Sequence, residues 1–253
     1  MAVVVQDDGP VRVVVLDRPE ARGAVDGEHA AALLAAFTEL EERDDLHVGV
    51  LTGTGGHFCA GADLKAVAAG VIPVHGYGEG PGPMGPSRLR LSKPVVAGIE
   101  GHAVAGGLEL ALWCDLRVVG ASAVLGVYCR RWGVPLIDGG TVRLPRLVGE
   151  SVALDLVLTG RGVGSEEALR IGLANRVVPD GTAREAAVAL AHELAALPQT
   201  CLRQDRASLL EQAGLTHDEA MANEWRHGVV SLTEALEGAA RFVGGQGRHG
   251  AAT

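Results

Sequence analysis

The sequence predicts an α/β fold, and three observations carry that reading. Two apolar runs rich in β-branched residues, 48–51 and 94–99, each enter a glycine-rich turn and then a stretch of helical composition. Hydrophobic residues make up 47% of the 253 and charged ones 21%, enough for a substantial core and too apolar for disorder. Aromatic residues are only 3%, so aliphatic side chains and alanine must fill that core.

Taken in order, residues 2–5 and 11–16, parted by the turn formers at 7–10, read as a β-hairpin. Residues 26–43 carry apolar Ala30, Leu33, Leu34, Phe37 and Leu40 at helical spacing, with Asp26 placed to cap them. Residues 48–51 return to strand, and after the turn Asp63 is placed to cap a second helix. The stretch 70–85 is rich in Gly and Pro without periodicity, either a gate beside a site or a surface excursion. A strand at 94–99, a glycine-rich loop at 101–107 and a helix at 108–113 follow. Short strands are expected at 116–119 and 123–125, then a helix at 139–147 with Asp138 as its N-cap. Helices at 151–159, 165–171 and 182–196 enclose a strand at 175–178. Beyond Pro198 the chain is helical and more polar, ending in a glycine-rich tail expected to fray.

Charge and cysteine usage bound the function. A net charge of −9 argues against nonspecific nucleic-acid binding. Cys59, Cys114, Cys129 and Cys201 form no C-x-x-C pair, consistent with free thiols in a reducing cytosol. There is no apolar run of membrane-spanning length and no signal-peptide pattern, so a soluble cytoplasmic protein is expected. Nucleotide-binding and nucleophile-elbow motifs are missing, so no metal, ATP or redox cofactor is expected.

The loop before residue 108 brings bare backbone to a helix start, where unpaired N–H groups and the dipole favour an anion or an oxyanion. Glu109, three residues beyond Gly106, shares its helix face and leans back toward those donors. The bland alternative is tight packing with Glu109 in solvent. A second glycine-rich turn, 53–63, offers another set of donors. His57 and His102 flank these turns without metal-ligand spacing, and a structural role is the simpler reading.

At this point FCAGADLK (58–65), KPVVAGIEGHAVAGGLELALWCD (93–115), DGGTVRLPRLVG (138–149) and LVLTGRGVGSEEALRIGLANRVVP (156–179) resemble the signature blocks of the crotonase superfamily, the enoyl-CoA hydratase and isomerase group. That resemblance implies a spiral of repeated ββα units over residues 1–196, holding an acyl-CoA site. It also implies a C-terminal helical region, 197–253, that assembles a homotrimer or a dimer of trimers. By motif, the N–H groups of Ala62 and Gly106 would form an oxyanion hole for the thioester. Arg22, Ala62, Asp63, Leu64, Lys65 and Gly106 would contact coenzyme A, itself part of the substrate; Arg22 and Lys65 could equally be solvated cations.

Glu109 matches the first of two glutamates that a hydratase uses. The place of the second falls on Cys129, a poorer acid. Asp138 is the nearest acid downstream, either a cap or a catalytic group; related isomerases carry an aspartate one position earlier, at Ile137 here. Gly23 stands where many relatives have asparagine. The expected activity is hydration of an enoyl-CoA, with double-bond isomerisation or catalytically weak acyl-CoA binding as alternatives.

Overall fold

The computed structural model describes residues 3–245. Strands β1 (Val3–Asp8) and β2 (Val11–Leu16) form an antiparallel hairpin. The first strand runs past the expected turn because Arg12 sits opposite Asp7 in register and its Nε bonds that carboxylate at 2.8 Å. Helix α1 (Gly27–Glu42) starts where Asp26 accepts the N–H groups of Glu28 and His29. Its far end is closed by buried Lys93, whose Nζ donates to the carbonyls of Leu40 at 2.7 Å and Arg43 at 2.5 Å.

From there the chain winds in repeating turns. Strand β3 (Val48–Gly53) leads through the 54–63 turn to α2 (Leu64–Ala68), capped by Asp63. Strand β4 (Val95–Ile99) leads to β5 (His102–Val104) and α3 (Gly106–Trp113), and β6 (Leu116–Gly120) leads to β7 (Val124–Gly126). Helices α4 (Gly140–Val148) and α5 (Glu150–Thr159), strand β8 (Gly162–Gly164), helix α6 (Ser165–Arg170), strand β9 (Arg176–Val178) and helix α7 (Ala183–Ala195) complete the series.

One sheet runs in the order β1-β2-β3-β4-β6-β9, parallel from β2 onward, and a smaller one in the order β5-β7-β8. The turns that begin with β4 and β6 each give one strand to the large sheet, one to the small sheet, and then a helix, while the β3 turn reaches the small sheet only through an isolated bridge from Cys59 to Ala103. The parallel strands are covered on both faces, which is why they read as continuous apolar runs rather than as alternation. Arg117, buried on β6, donates to the carbonyls of Cys114 at 2.9 Å and Leu173 at 2.7 Å, closing the end of α3.

The chain divides into two compact units between Leu194 and Ala195. The second contains α8 (Gln199–Glu211), α9 (His217–Val230) and α10 (Leu232–Val243), with a Thr216–Glu219 capping box opening α9. Trp225, Leu232 and Leu236 stand exposed there. Most of the glycine-rich tail falls outside the described residues.

Two local expectations are corrected. What reads as a loop at 101–107 contains β5, and α3 begins at Gly106 rather than residue 108. Strand β5 is too short to show a period, and its ladder comes from distant β7. The three-residue strand β8 escapes the sequence for the same reason.

Candidate active site

The two glycine-rich turns meet because their backbones run side by side. Cys59 bridges Ala103 in parallel: its N–H donates to the His102 carbonyl at 2.9 Å, and its carbonyl accepts from Val104 at 3.0 Å. Three residues on along each chain stand Ala62 and Gly106. A Cβ added to Gly61 would lie 2.9 Å from the Gly106 nitrogen, so only glycine permits this approach. Val25 donates to the Gly61 carbonyl and accepts from the Asp63 N–H, both at 2.8 Å. Alternation along an extended segment therefore turns the Ala62 N–H the other way. Gly106 is the first residue of α3, where a helix leaves its N–H unpaired. Neither N–H has an acceptor among the described residues.

Ala105, between β5 and α3, takes φ 54° and ψ −127°, a region side chains avoid. It is pinned from both sides: its N–H donates to Gly126 at 2.9 Å and its carbonyl accepts from Glu109 at 3.2 Å. A conformation of this kind costs ~1–3 kcal/mol and persists because the bonds on both sides hold it.

Glu109 projects from the first turn of α3 and is buried. Its Oε1 accepts the N–H groups of Asp138 at 2.9 Å and Gly140 at 2.8 Å, at the start of α4. Burial raises its pKa to about 7, against those two hydrogen bonds, with the neighbouring Asp138 charge adding to the rise. Asp138 is not the N-cap of α4. Gly139, at φ 99°, holds that position, and the Asp138 carboxylate turns instead to the Met84 N–H at 3.1 Å and to the Ser87 hydroxyl. Burial raises its pKa too, opposed by those two bonds. Each carboxylate has one oxygen tied to the scaffold.

Ala62, Gly106, Glu109, Asp138 and Cys129 all line one cavity of about 480 Å³, together with Leu64, Met84, Tyr128 and Trp132. The Cys129 thiol is buried and pushed upward by burial and by Glu109, so it stays protonated. Asp63 lies outside the lining, its carboxylate committed to Arg18 at 2.8 Å and to the N–H groups of Lys65 and Ala66. Arg22 and Lys65 are exposed and also outside it. His57 and His102 face each other, Nδ1 to Nδ1 at 3.3 Å, away from the cavity. Among the described residues no group of three potential metal ligands gathers.

Sequence reasoning missed Ser87, Arg143 and Met84. Arg143 donates to the carbonyls of Asp138 at 2.8 Å and Ser87 at 2.7 Å, lacing the site together, and Met84 sulfur packs against Gly106. No local pattern marks them, since each acts through partners far along the chain.

The sequence profile of the enoyl-CoA hydratase/isomerase family matches residues 7–243. The chain belongs to that family. It is 36% identical to an enoyl-CoA hydratase of Mycobacterium tuberculosis over 95% of this chain and 92% of the relative. It is 39% identical to a carnitinyl-CoA dehydratase of Salmonella typhi over 74% of this chain and 72% of the relative. A crystal structure of enoyl-CoA hydratase from M. tuberculosis superposes with TM-score 0.90 at 35% identity, covering 96% of this chain and 95% of that one. One from Mycobacterium marinum gives 0.89 at 33% identity, covering 96% and 95%. The chain is thus an enzyme of the crotonase fold.

Proposed function

We propose that this family member hydrates 2-enoyl-CoA thioesters. The observation that carries the reading is the convergence, in one apolar cavity, of two unpaired amides and a buried pair of carboxylates. The thioester carbonyl accepts the N–H groups of Ala62 and Gly106. Water held by Glu109 and Asp138 forms its oxygen bond to C3 as Glu109 takes its proton, and the π electrons move to the carbonyl oxygen as an enolate. The enolate collapses, C2 takes the proton back from Glu109, and one water has been added. Each amide is worth roughly 3–4 kcal/mol of transition-state stabilisation. Asp138 replaces the second glutamate that Cys129 cannot mimic.

Leu64, beside Ala62, contacts the coenzyme A portion, and Arg22 and Lys65 meet its phosphates. Asp63 serves there by holding the Arg18–Ala24 loop against α2. Coenzyme A is part of the substrate, and acid–base chemistry by these side chains needs no further cofactor. The exposed apolar residues of α9 and α10 support assembly as a homotrimer or dimer of trimers through an oligomerisation region at 197–253, with the acyl-CoA site in 1–196. The free cysteines support work in the cytoplasm, and no described helix is long and apolar enough to cross a membrane.

A second reading, double-bond isomerisation of a 3-enoyl-CoA, draws on the same pair, since two acids in one cavity can shuttle a proton between carbons. The test mixes purified protein with trans-2-enoyl-CoA thioesters, from crotonyl-CoA upward, and follows loss of the conjugated thioester absorbance. A 3-enoyl-CoA serves in parallel, its gain in absorbance reporting isomerisation. Tight acyl-CoA binding without turnover of either, unchanged in Glu109→Gln, would leave only a binding protein.

A further inference from the structure

The cavity takes the thioester and the adjoining coenzyme A arm beside Leu64 and leaves the rest of its lining to the acyl group. Its roughly 480 Å³ falls in the ~300–1,000 Å³ range of pockets for drug-sized ligands. The carboxylates and amides share the lining with apolar side chains from two segments, Ile72 and Val74 in the 70–85 stretch and Trp132, Val134, Pro135 and Ile137 in the segment before α4. Two of these are strongly exposed, Val74 at 66% and Trp132 at 72%, where they gain from a cover of apolar ligand.

The Val74 flank is preformed. Arg88 Nη1 donates to the carbonyls of His75 and Gly76 at 3.0 Å and Gly80 at 3.2 Å, and its guanidinium lies 6.0 Å from the Tyr77 ring centre. The 82–85 turn is tied at its other end to Asp138 through the Met84 N–H. A wall fixed at both ends does not collapse onto a small substrate. Nor is it suited to a cationic acyl group: Arg131 already lies over the Tyr128 ring, 3.8 Å from its centre, and a second cation there is repelled.

Resting on the hydratase reading, we propose that the substrate acyl group is apolar and far longer or bulkier than crotonyl, its distal end packing between Val74 and Trp132. Each added methylene that reaches the apolar wall gains roughly fourfold in kcat/KM until the wall is filled.

The experiment measures kcat/KM for trans-2-enoyl thioesters of crotonyl, hexenoyl, octenoyl and decenoyl length, for the native chain and for Trp132→Ala and Trp132→Phe. The expected result is a rise from crotonyl to decenoyl of roughly fourfold for each added methylene that reaches the wall, ~60-fold if three of them do. Trp132→Ala flattens that slope, and Trp132→Phe restores most of it. Rates that are level or fall with chain length, or faster turnover of an acyl-CoA bearing a trimethylammonium group than of its apolar isostere, would overturn the proposal and leave the hydratase reading intact. If no thioester turns over, the hydratase reading fails. Calorimetric affinities of the saturated acyl-CoAs then decide the length preference: tightening with length in the native chain but not in Trp132→Ala supports it, and no trend refutes it.

Discussion

At the scale of single residues, the chemistry turns on how a carboxylate is buried. Glu109 accepts two backbone N–H groups, which alone would hold its pKa low, yet burial wins and places it at about 7. Such a group is charged only in part at neutral pH, so with Glu109 as the proposed base kcat/KM is expected to fall as pH drops below about 7. The same shift has a cost in stability. Between the ordinary value of 4.5 and about 7, the folded chain holds a proton that the unfolded chain has released. Stability therefore falls as pH rises through that window, and the loss is complete above it. Glu109→Gln keeps the acceptor oxygen and removes the charge. It should lower kcat by ~10²–10⁴, and in thermal or urea unfolding it should gain up to ~3 kcal/mol at pH 8 and almost nothing near pH 4.

Asp138 is tuned more finely, its burial opposed by the Ser87 hydroxyl and the Met84 N–H. Ser87→Ala removes one opposing bond, so the Asp138 pKa rises further. A carboxyl titration followed by infrared or NMR should show the Asp138 group moved to higher pH in Ser87→Ala, and an unmoved group would show that the Ser87 hydroxyl does not hold it down.

Glu109 was legible in the sequence because its spacing from Gly106 is fixed by one helical turn. Asp138 was only half legible. An aspartate before a glycine pair reads as a cap, and only the fold shows that Glu109, from another helix, takes the N–H of Gly140 in its place.

At the scale of elements, the Cys59–Ala103 bridge sets the distance between the two donors. Gly61, at φ 96°, is where the two turns touch. Its replacement by alanine is strained in itself and drives a methyl against Ala105 and the Gly106 nitrogen. Gly61→Ala should cost ~10²-fold in kcat, as expected for displacing one oxyanion donor, with KM for the acyl-CoA changed far less; steady-state kinetics on the folded variant check this. Lys93 holds the end of α1 by filling two carbonyls in the core. Lys93→Met takes the donor from the Leu40 carbonyl, leaves the Arg43 carbonyl only the Leu46 N–H, and should destabilise by ~1–3 kcal/mol in urea unfolding, activity in the native baseline being preserved.

The long elements of the core read correctly because their apolar runs extend over several residues. Strands β5 and β8 did not, since a three-residue strand exists only by virtue of the neighbour that pairs with it.

At the scale of the whole molecule, the helical unit beyond residue 194 leaves Trp225 and Leu236 exposed at 70% and 74%, a liability in a lone chain. If these faces make the oligomer, Trp225→Asp with Leu236→Asp should shift the sedimentation coefficient from trimer or hexamer to monomer, with helicity by circular dichroism retained. An unchanged oligomer would place the interface elsewhere.

The sequence by itself determined the alternation of buried strands and helices, the caps at Asp26 and Asp63, the two donor-bearing turns and the glutamate beside one of them. These depend on neighbours a few residues apart, where backbone geometry leaves few choices. Only the tertiary structure decided which carboxylate accompanies Glu109, how far each pKa rises, and which side chains wall the cavity. Burial and partnership between residues 84, 87, 109, 138 and 143 are set by how distant segments pack, and no local pattern encodes that.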